Sequence, residues 1–209
     1  MTLASGDASI ETPRLTLRRL QPGDLAFITR IHADPRVRRY LGSGRPLSAD
    51  ESRAFLDNVL ASYERIGLGQ LAVVRKSDGE TIGRCGLGYM EIELPPHELP
   101  EPRVYTRPGA APSGTRVAVE RELGYTFDSA VWGNGYATEA ADAVCRYARE
   151  RLGIARIISI IHPENGASLG VARKLGLERE DAVWMSGRSF DRYRWPLKAS
   201  MQRDAQRDR

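Results

Sequence analysis

The sequence predicts a single α/β domain. In the second half of the chain, residues 122–176 read in order as a strand, a glycine-containing turn, a long helix, a second strand and a second helix. In the first half, helical patterns lie near the N-terminus and strand patterns follow them. The chain has 209 residues and 41% hydrophobic content, which is enough for one domain with a substantial core, and we expect no second domain.

The N-terminal part predicts a strand and two helices. Residues 14–18 alternate polar and apolar side chains, which is the pattern of a strand. Asp24 is a candidate N-cap for a helix over residues 25–32. Ser48 and Glu51 form a capping box ahead of a second, longer helix.

The middle of the chain predicts a hairpin followed by a long loop. Residues 71–75 and 81–88 are strand patterns on either side of the turn-forming Ser77-Asp78-Gly79. Residues 95–112 hold six of the twelve prolines of the chain, so this stretch is neither a central strand nor a helix. A loop of this length is either a mobile surface loop or a lid or oligomer contact.

Residues 131–140, Val-Trp-Gly-Asn-Gly-Tyr-Ala-Thr-Glu-Ala, are the most informative stretch. Gly133 and Gly135 can adopt positive φ and let a ligand approach the backbone closely. The amides that follow begin a helix, where they have no intrahelical acceptor and the helix dipole is positive. A pyrophosphate site and a plain structural turn both fit these residues. A dinucleotide-binding oxidoreductase is disfavoured because the third glycine of its Gly-x-Gly-x-x-Gly motif is Thr138 here.

The elements after the turn are well defined. Gly153 ends the long helix, and residues 157–161 form a β-branched run typical of a strand buried on both faces. Another helix begins near Asn165, and a closing hairpin is expected around Ser186-Gly187-Arg188. The buried face of the long helix comprises Ala140, Ala141, Val144, Ala148 and Leu152.

These motifs resemble the GNAT acetyltransferase superfamily, and more closely its ribosomal-protein N-terminal acetyltransferase-like (Rim-type) branch. Gly135 and Ala137 match the last two positions of the superfamily signature Gln/Arg-x-x-Gly-x-Gly/Ala, while Trp132 replaces the Gln/Arg. Several dispersed motifs in the right order are more specific than any one of them. The other matches are residues 11–18, 165–168 and 174–177 and Asp191 in the last hairpin.

The resemblance implies a GNAT fold, with a mixed, mostly antiparallel central sheet flanked by helices. It also implies a V-shaped splay between the fourth and fifth strands. The domain covers residues 10–197, and the proline-rich stretch is an insertion at about residues 93–116, because the family joins these strands more briefly. Residues 1–9 and 198–209 are expected to be disordered tails.

The resemblance further implies acetyl-CoA as co-substrate and no metal. The turn backbone would bind the pyrophosphate, and the pantetheine arm would lie along the preceding strand and Asn165. Capping of the last helix is an alternative role for Asn165, and the two roles can coexist. The expected cofactor-binding residues are Tyr125, Thr126, Phe127, Trp132, Gly133, Asn134, Gly135, Tyr136, Ala137, Thr138, Asn165 and Ser168.

The catalytic residues are less clearly marked. Many GNAT enzymes protonate the departing thiolate with a Tyr seven residues after the Asn, and that position is Ala172 here. Ser168 or an ordered water is then the substitute. As general base we rank Glu122 first, ahead of Glu120 on the same strand face and His162 at a strand end. An exposed salt bridge is an equally good role for either glutamate.

The expected activity is acetyl transfer from acetyl-CoA to a primary amine. An α-amine with a pKa near 7.8 loses its proton at pH 7 for about 1 kcal/mol, whereas a lysine near 10.4 costs about 4.6 kcal/mol. A protein N-terminal α-amine or a small-molecule amine is therefore the favoured acceptor. The alternative is a non-catalytic acyl-CoA-binding or regulatory module of the same fold.

Composition and charge limit the partners and the cellular location that we expect. The pI is about 9.3, but the net charge is only +4 with interspersed signs and no basic run between aromatics, so nucleic-acid binding is not expected. No stretch of about 18 apolar residues exists, so we expect a cytoplasmic protein with no membrane partner. Cys85 and Cys145 are expected to be buried free thiols. A monomer or a homodimer is expected.

Overall fold

The computed structural model describes residues 9–67, 69–96, 99–107 and 109–196. Apart from Ser9, the tails predicted at residues 1–9 and 198–209 lie outside the described residues. The helices are α1 (Leu25–Ala33), α2 (Pro35–Arg38), α3 (Ala49–Ile66), α4 (Tyr136–Leu152) and α5 (Gly166–Leu175). The strands are β1 (Ile10–Glu11), β2 (Leu15–Arg19), β3 (Gln70–Arg75), β4 (Thr81–Glu93), β5 (Val104–Tyr105), β6 (Val117–Phe127), β7 (Ile158–Ile161), β8 (Glu178–Met185) and β9 (Arg188–Arg194).

The strands form one mixed sheet in the order β1-β2-β3-β4-β6-β7-β9-β8, with β5 paired to β4. Only β6 and β7 run parallel, and the other pairs are antiparallel. The predicted fold class, a mostly antiparallel sheet flanked by helices, is confirmed.

The two parallel strands separate almost as soon as they meet. β6 and β7 share one register pair, Glu122 with Ile158. Beyond it, the Ser159 hydroxyl donates to the Leu123 carbonyl at 3.0 Å. When the two-residue strands β1 and β5 are not counted, these are the fourth and fifth strands. The predicted splay is therefore present, and it leaves the β7-facing edge of β6 open toward Phe127.

The helices cover opposite faces of the sheet, because neighbouring residues of a strand point to opposite sides. On β4, the Arg84 guanidinium lies over the Phe55 ring of α3, with 4.6 Å to the centroid. The next residue, Cys85, is buried in the core together with Cys145 of α4. Both thiols are free and buried, as predicted. α3 and α4 thus flank the sheet from different sides.

The first two predicted caps have different outcomes. The capping box of α3 is confirmed, since the Glu51 amide donates to Ser48 Oγ at 3.2 Å and the Ser48 amide donates to Glu51 Oε2 at 2.8 Å. Asp24 is the N-cap residue of α1, as predicted, but its side chain makes no cap hydrogen bond. Its carboxylate instead accepts two 2.8 Å hydrogen bonds from Arg18 and one from the Gln21 amide.

Two central strands extend further than the sequence pattern predicted. β4 continues to Glu93 and β6 begins at Val117, and they pair along their whole length from Gly83 with Phe127 to Glu93 with Val117. At the start of β6, residues 117–119 are Val-Ala-Val and do not alternate, whereas residues 90–93 of β4, Met-Glu-Ile-Glu, do alternate apolar and charged side chains and carried a strand signal. Cross-strand pairing decides the conformation of the start of β6, and such pairing is not local information.

The proline-rich insertion is joined to the sheet at several points. Within it, β5 pairs with β4, and the buried Val104 belongs to a small hydrophobic cluster with Ile92, Ile158, Val183 and Phe190. The Trp184 amide of β8 donates to the Pro102 carbonyl at 2.9 Å. The part of the insertion that the structure describes therefore connects the outer end of β4 with the closing hairpin.

Candidate active site

The turn after β6 presents a row of backbone donors. Gly133 and Gly135 have φ of +82° and +80°, so both adopt the left-handed conformation that glycine was expected to supply. Gly135 is the N-cap residue of α4, and Glu139 is the first residue whose amide bonds back, to the Gly135 carbonyl at 3.1 Å. In the described chain, the amides of residues 133–138 have no hydrogen-bond acceptor. They are free to hold an anion.

Side chains around the turn hold its shape through hydrogen bonds to backbone carbonyls. The Trp132 indole donates to the Phe127 carbonyl at 3.0 Å, and the Asn134 amide donates to the carbonyls of Val131 and Trp132 at 3.1 and 3.2 Å. Arg14 donates to the Asn134 carbonyl at 3.0 Å. These polar side chains take up carbonyl groups of the turn and leave its amides unused.

The one carboxylate in the first turn of α4 is neutralised. Glu139 forms an ion pair with Arg14 at 2.6 Å and accepts a hydrogen bond from the Thr12 hydroxyl at 2.6 Å. Hydrogen bonds from Thr12 and Arg14 outweigh burial and lower the pKa of Glu139. An anion at the turn therefore meets Arg14 and the positive end of α4 rather than an unpaired carboxylate.

A cavity of about 590 Å³ lies between α3 and the sheet and reaches through the splay. Both faces of β6 contribute to it, with Glu122 and Gly124 from one face and Tyr125 from the other. Its far end is lined by Asn165 and Ser168 at the N-terminus of α5. One open space thus connects the α3 side of the sheet with the edge of β6 that the splay exposes.

Glycines on one sheet face keep this cavity open. Gly88 of β4 lies opposite Glu122 in the register, and Gly124 follows two residues further along β6. A Cβ on Gly124 would stand 3.0 Å from Glu122 Oε2 and 3.1 Å from Gln70 Nε2, tighter than nearly all real contacts. The absence of a side chain at Gly124 therefore gives the Glu122 carboxylate its position.

The two glutamates of β6 have different surroundings. Glu120 accepts from Arg156 Nε at 3.0 Å with both oxygens, and Arg156 also binds Glu180, so Glu120 has a structural ion pair. Glu122 lines the cavity, and no cation of the described chain lies within 4 Å of it. Burial raises the pKa of Glu122 to about 7, against the opposing charge of Arg84.

The other base candidate, His162, also lines the cavity but is engaged elsewhere. Its Nδ1 accepts from the Glu164 amide at 3.2 Å, and Arg188 Nη2 lies 2.5 Å from Nε2. Burial and then the Arg188 charge lower the pKa of His162. Its ring packs between Tyr40 and Phe190. These contacts fit a structural histidine better than a base.

At the N-terminus of α5, capping is observed. Asn165 Oδ1 accepts from the Ser168 amide at 3.1 Å. The Ser168 side chain is partly exposed and lines the cavity. The Tyr125 hydroxyl lies beside it and donates to the Ser168 carbonyl at 3.4 Å. Burial raises the pKa of Tyr125 well above its usual range, so its phenol stays protonated. Ala172 is buried.

This geometry can be compared with known proteins. A family model described as an acetyltransferase (GNAT) domain matches residues 14–178. The chain belongs to the GNAT acetyltransferase family. It is an acyl-CoA-dependent N-acetyltransferase, and the family uses acetyl-CoA as acetyl donor and acts on amines.

Relatives and solved structures of GNAT proteins cover nearly the whole chain. An uncharacterized N-acetyltransferase of Bacillus licheniformis, p20, is 24% identical over 90% of this chain and 95% of its own. An acetyltransferase structure from Agrobacterium tumefaciens is 26% identical, covers 94% of this chain and 98% of that one, and has a TM-score of 0.69. RimL, a ribosomal L7/L12 α-N-protein acetyltransferase in complex with coenzyme A, is 14% identical, covers 92% and 100%, and has a TM-score of 0.67. The RimL likeness shows a shared GNAT fold.

The GNAT site residues predicted from sequence fall into groups. Residues 132–135 form the turn, residues 136–138 begin α4, and Tyr125, Asn165 and Ser168 line the cavity. Thr126 also lines it, with its hydroxyl buried and without a partner among the described residues. Phe127 has its side chain in the core and its carbonyl bonded to the Trp132 indole, so its backbone amide is the group left for a ligand.

The sequence motifs did not indicate other cavity residues, chiefly Arg38, Arg84 and Gln70, together with Thr106 and Arg107 of the insertion. For Arg84 a signal existed, since it is a charge between the apolar Ile82 and Cys85 in a strand. For the others, only the tertiary fold brings them to the site.

In the part of the chain that the structure describes, no helix is long and apolar enough to cross a membrane, and no three His, Cys, Asp or Glu side chains group to hold a metal.

Proposed function

We propose that this GNAT acetyltransferase transfers the acetyl group of acetyl-CoA to a neutral primary amine bound beside Glu122. The acceptor classes that fit are a protein N-terminal α-amine and a small-molecule amine. The observation that carries the proposal is the position of Glu122, an unpaired carboxylate with a pKa of about 7 in the cavity that passes through the splay.

Binding of the donor is assigned to backbone groups. The amides of residues 133–138 would hold the pyrophosphate, with Arg14 and the α4 dipole adding positive potential. The open edge of β6 between Glu122 and Phe127 offers backbone groups to the pantetheine arm. Asn165 adds a side chain at the far side of the splay, in addition to its capping role.

Glu122 is assigned the role of general base. A base is most effective when its pKa lies near the working pH, and burial places Glu122 there. It would take the proton of the incoming ammonium, directly or through water. The nitrogen then attacks the thioester carbonyl carbon, and a backbone amide of β6 would stabilise the oxyanion that forms.

Collapse of the tetrahedral intermediate needs an acid. As the carbonyl re-forms, the C–S bond breaks and its electron pair goes to sulfur, which takes the proton of a hydroxyl group. Attack has left the nitrogen cationic, and the second proton that it loses restores the hydroxyl. Ser168 is the proposed donor because its side chain lines the cavity at the α5 end of the splay. The Tyr125 phenol beside it is the competing donor, which sequence reasoning had assigned only to cofactor binding.

Thiol release from acetyl-CoA in the presence of a panel of amines tests the proposed function, with the product confirmed by its mass. The panel contains free amino acids, simple primary amines and peptides with free N-termini. We expect thiol release that depends on the amine, with one acetyl group added to it. Tight acetyl-CoA binding without transfer to any member would favour the non-catalytic acyl-CoA-binding module instead.

The acid assignment gives a first prediction. Ser168→Ala is expected to lower kcat by about 10²- to 10⁴-fold, the usual worth of general acid catalysis, with little change in acetyl-CoA affinity. Tyr125→Phe is the matched comparison, because it removes only the neighbouring hydroxyl. Steady-state kinetics and thermal unfolding are measured for both. If Ser168→Ala keeps at least half of the wild-type kcat, Ser168 is not the donor, and a larger loss in Tyr125→Phe would assign the proton to the phenol.

The insertion gives a second prediction. Thr106 and Arg107 line the cavity, so the insertion is assigned to the acceptor site. Arg107→Ala is expected to raise the KM of the acceptor about 10-fold and to leave the KM of acetyl-CoA unchanged. Arg116→Ala is the control, because Arg116 carries the same charge in the same insertion and is not among the cavity residues. Equal kinetics of the two variants would exclude the insertion from the site.

Point substitution is preferable to deletion here. Removing residues 98–113 would also remove Val104, which is buried between β4 and the closing hairpin. Loss of a buried valine leaves a cavity and costs stability, so a deletion would confuse acceptor binding with folding.

A further inference from the structure

Two arginines in the cavity have no carboxylate partner. Arg38 is 8% exposed, and its Nε and Nη2 donate to the backbone carbonyls of Arg45 and Leu41. Arg84 Nη1 donates to Gln70 Oε1 at 2.9 Å. Among the described residues, the buried Arg84 Nε has no acceptor, and neither arginine has a carboxylate within 4 Å.

Many other arginines of the described chain pair with carboxylates, although Arg149 and Arg188 bind backbone carbonyls or a histidine ring instead. Arg179 binds Asp191 at 2.6 Å and Arg192 binds Asp181 at 2.6 Å across the closing hairpin. The Arg14 pair with Glu139 has the same distance. An unpaired cation costs more stability inside a protein than at its surface. Stability alone would therefore favour carboxylate partners for the cavity arginines Arg38 and Arg84.

The positive charges of the cavity arginines shift the pKa values of neighbouring groups. Burial, and after it the charge of Arg38, lowers the pKa of Arg84 to about 10, so it remains protonated at neutral pH. Burial and these two arginines lower the pKa of His32 to about 3, so His32 is neutral. Glu51 faces the same cavity but is bound to Arg45 at 2.5 Å. Arg38 and Arg84 therefore place positive charge on the α3 side of the cavity, where Glu122 is the carboxylate that no arginine of the described chain binds.

This positive site lies one side chain away from the proposed base. Gln70 accepts from Arg84 with Oε1, and its Nε2 lies 3.1 Å from the point that a Cβ of Gly124 would occupy. Glu122 Oε2 lies 3.0 Å from the same point. An amine at Glu122 and an anionic group at Arg84 are thus within reach of one short acceptor molecule.

We infer that the acceptor amine carries a carboxylate a few bonds from its nitrogen, and that Arg84 and Arg38 bind this carboxylate while Glu122 faces the amine. The free donors of the two guanidinium groups match the oxygens of a carboxylate. The inference rests on the proposed function. Two sources supply the same chemistry: a free amino acid, and a protein N-terminus whose first residue is acidic.

Matched acceptor pairs test the inference in the wild-type enzyme. One arm compares free glycine with glycinamide, and the other compares a peptide that begins with Asp with the same peptide that begins with Asn. In at least one arm, the carboxylate member is expected to have a kcat/KM about 10- to 100-fold higher, the usual range for a charge-assisted hydrogen bond. The arm that shows the preference identifies the source. Glycinamide has the less basic nitrogen, so amine reactivity alone cannot produce this result for glycine.

Variants of the cavity arginines show which residues cause the preference for carboxylate acceptors. Arg84→Met and Arg38→Met are each expected to bring the ratio between carboxylate and amide acceptors close to one. Arg116→Met, a surface change of the same kind, is expected to keep the wild-type ratio. Acetylation of all four acceptors without a preference for the carboxylates would overturn the inference and leave the proposed function standing. Absence of transfer to any amine would instead count against the proposed function. If the kcat/KM ratio between carboxylate and amide acceptors stays at the wild-type value in both cavity variants, the acceptor carboxylate binds elsewhere. The comparison of acceptors in the wild-type enzyme does not depend on the folding of any variant.

Discussion

Gly135→Glu is expected to abolish acetyl-CoA binding while the fold is retained. Gly135 is the N-cap of α4, next to amides that have no acceptor in the described chain. A glutamate there would bring a negative charge to the place where the pyrophosphate is proposed to lie. Placing like charges side by side costs several kcal/mol, so a loss of affinity of about 10³-fold or more is expected. Isothermal calorimetry with acetyl-CoA measures it.

A control separates charge from backbone strain. Gly135 has a φ of +80°, where any other L-residue costs about 1 kcal/mol or somewhat more. Gly135→Asn carries a similar strain without a charge, and asparagine tolerates this conformation best among the other residues. It is expected to unfold at a slightly lower temperature and to bind acetyl-CoA with modestly reduced affinity. A folded Gly135→Glu protein with wild-type affinity would remove the turn from the donor site.

Glu122→Gln is expected to have the largest effect on turnover. The substitution keeps the size of the side chain and removes its ability to accept a proton. Loss of a general base is usually worth about 10²- to 10⁴-fold in kcat, while the affinity for acetyl-CoA should remain unchanged. Glu120→Gln is the matched comparison on the same strand face, and it breaks the ion pair with Arg156 instead. It is expected to lower stability rather than kcat per folded molecule.

The same change is expected to stabilise the protein at alkaline pH. The folded-state pKa of Glu122 is raised from 4.5 to about 7, so the folded protein holds its proton more tightly than the unfolded chain does. Stability is therefore lost as the pH rises from about 4.5 through 7, by on the order of 2 to 3 kcal/mol. Glutamine avoids this loss. Urea unfolding should show Glu122→Gln more stable than wild type at pH 8 and nearly equal at pH 4.5. A variant that is less stable at pH 8 would contradict the raised pKa.

Local signals predicted the glycine turn, α4 and the cap of α3 well. The positive φ of Gly133 and Gly135 follows from the need for a tight turn, and the extent of α4 follows from its apolar spacing and from Gly153. The capping box of α3 needs only two residues three positions apart. Each of these depends on neighbours in sequence, and such features are the ones that a single chain reveals.

The acceptor half could not be predicted in the same way. Arg38 and Arg84 face one cavity only because α2 and β4 meet in the fold, and Arg107 joins them because the insertion is tied to β4. The ranking of Glu122 above Glu120 as general base stays a prediction, and what distinguishes the surroundings of the two glutamates is Arg156, which is 36 positions from Glu120. Asp24 lies at the predicted N-cap position, but Arg18 holds its carboxylate.

The pH dependence of kcat at saturating acceptor tests the central claim, that Glu122 is the base, most directly. At saturation, kcat reports ionisations of the bound complex and not of the free amine. The wild-type enzyme is expected to show a limb that rises with pH, because Glu122 must be ionised to accept a proton and its pKa in the unliganded protein is raised to about 7. Glu122→Gln should lose this limb. A wild-type kcat that does not change across this range, or a limb that Glu122→Gln retains, would show that another group is the base.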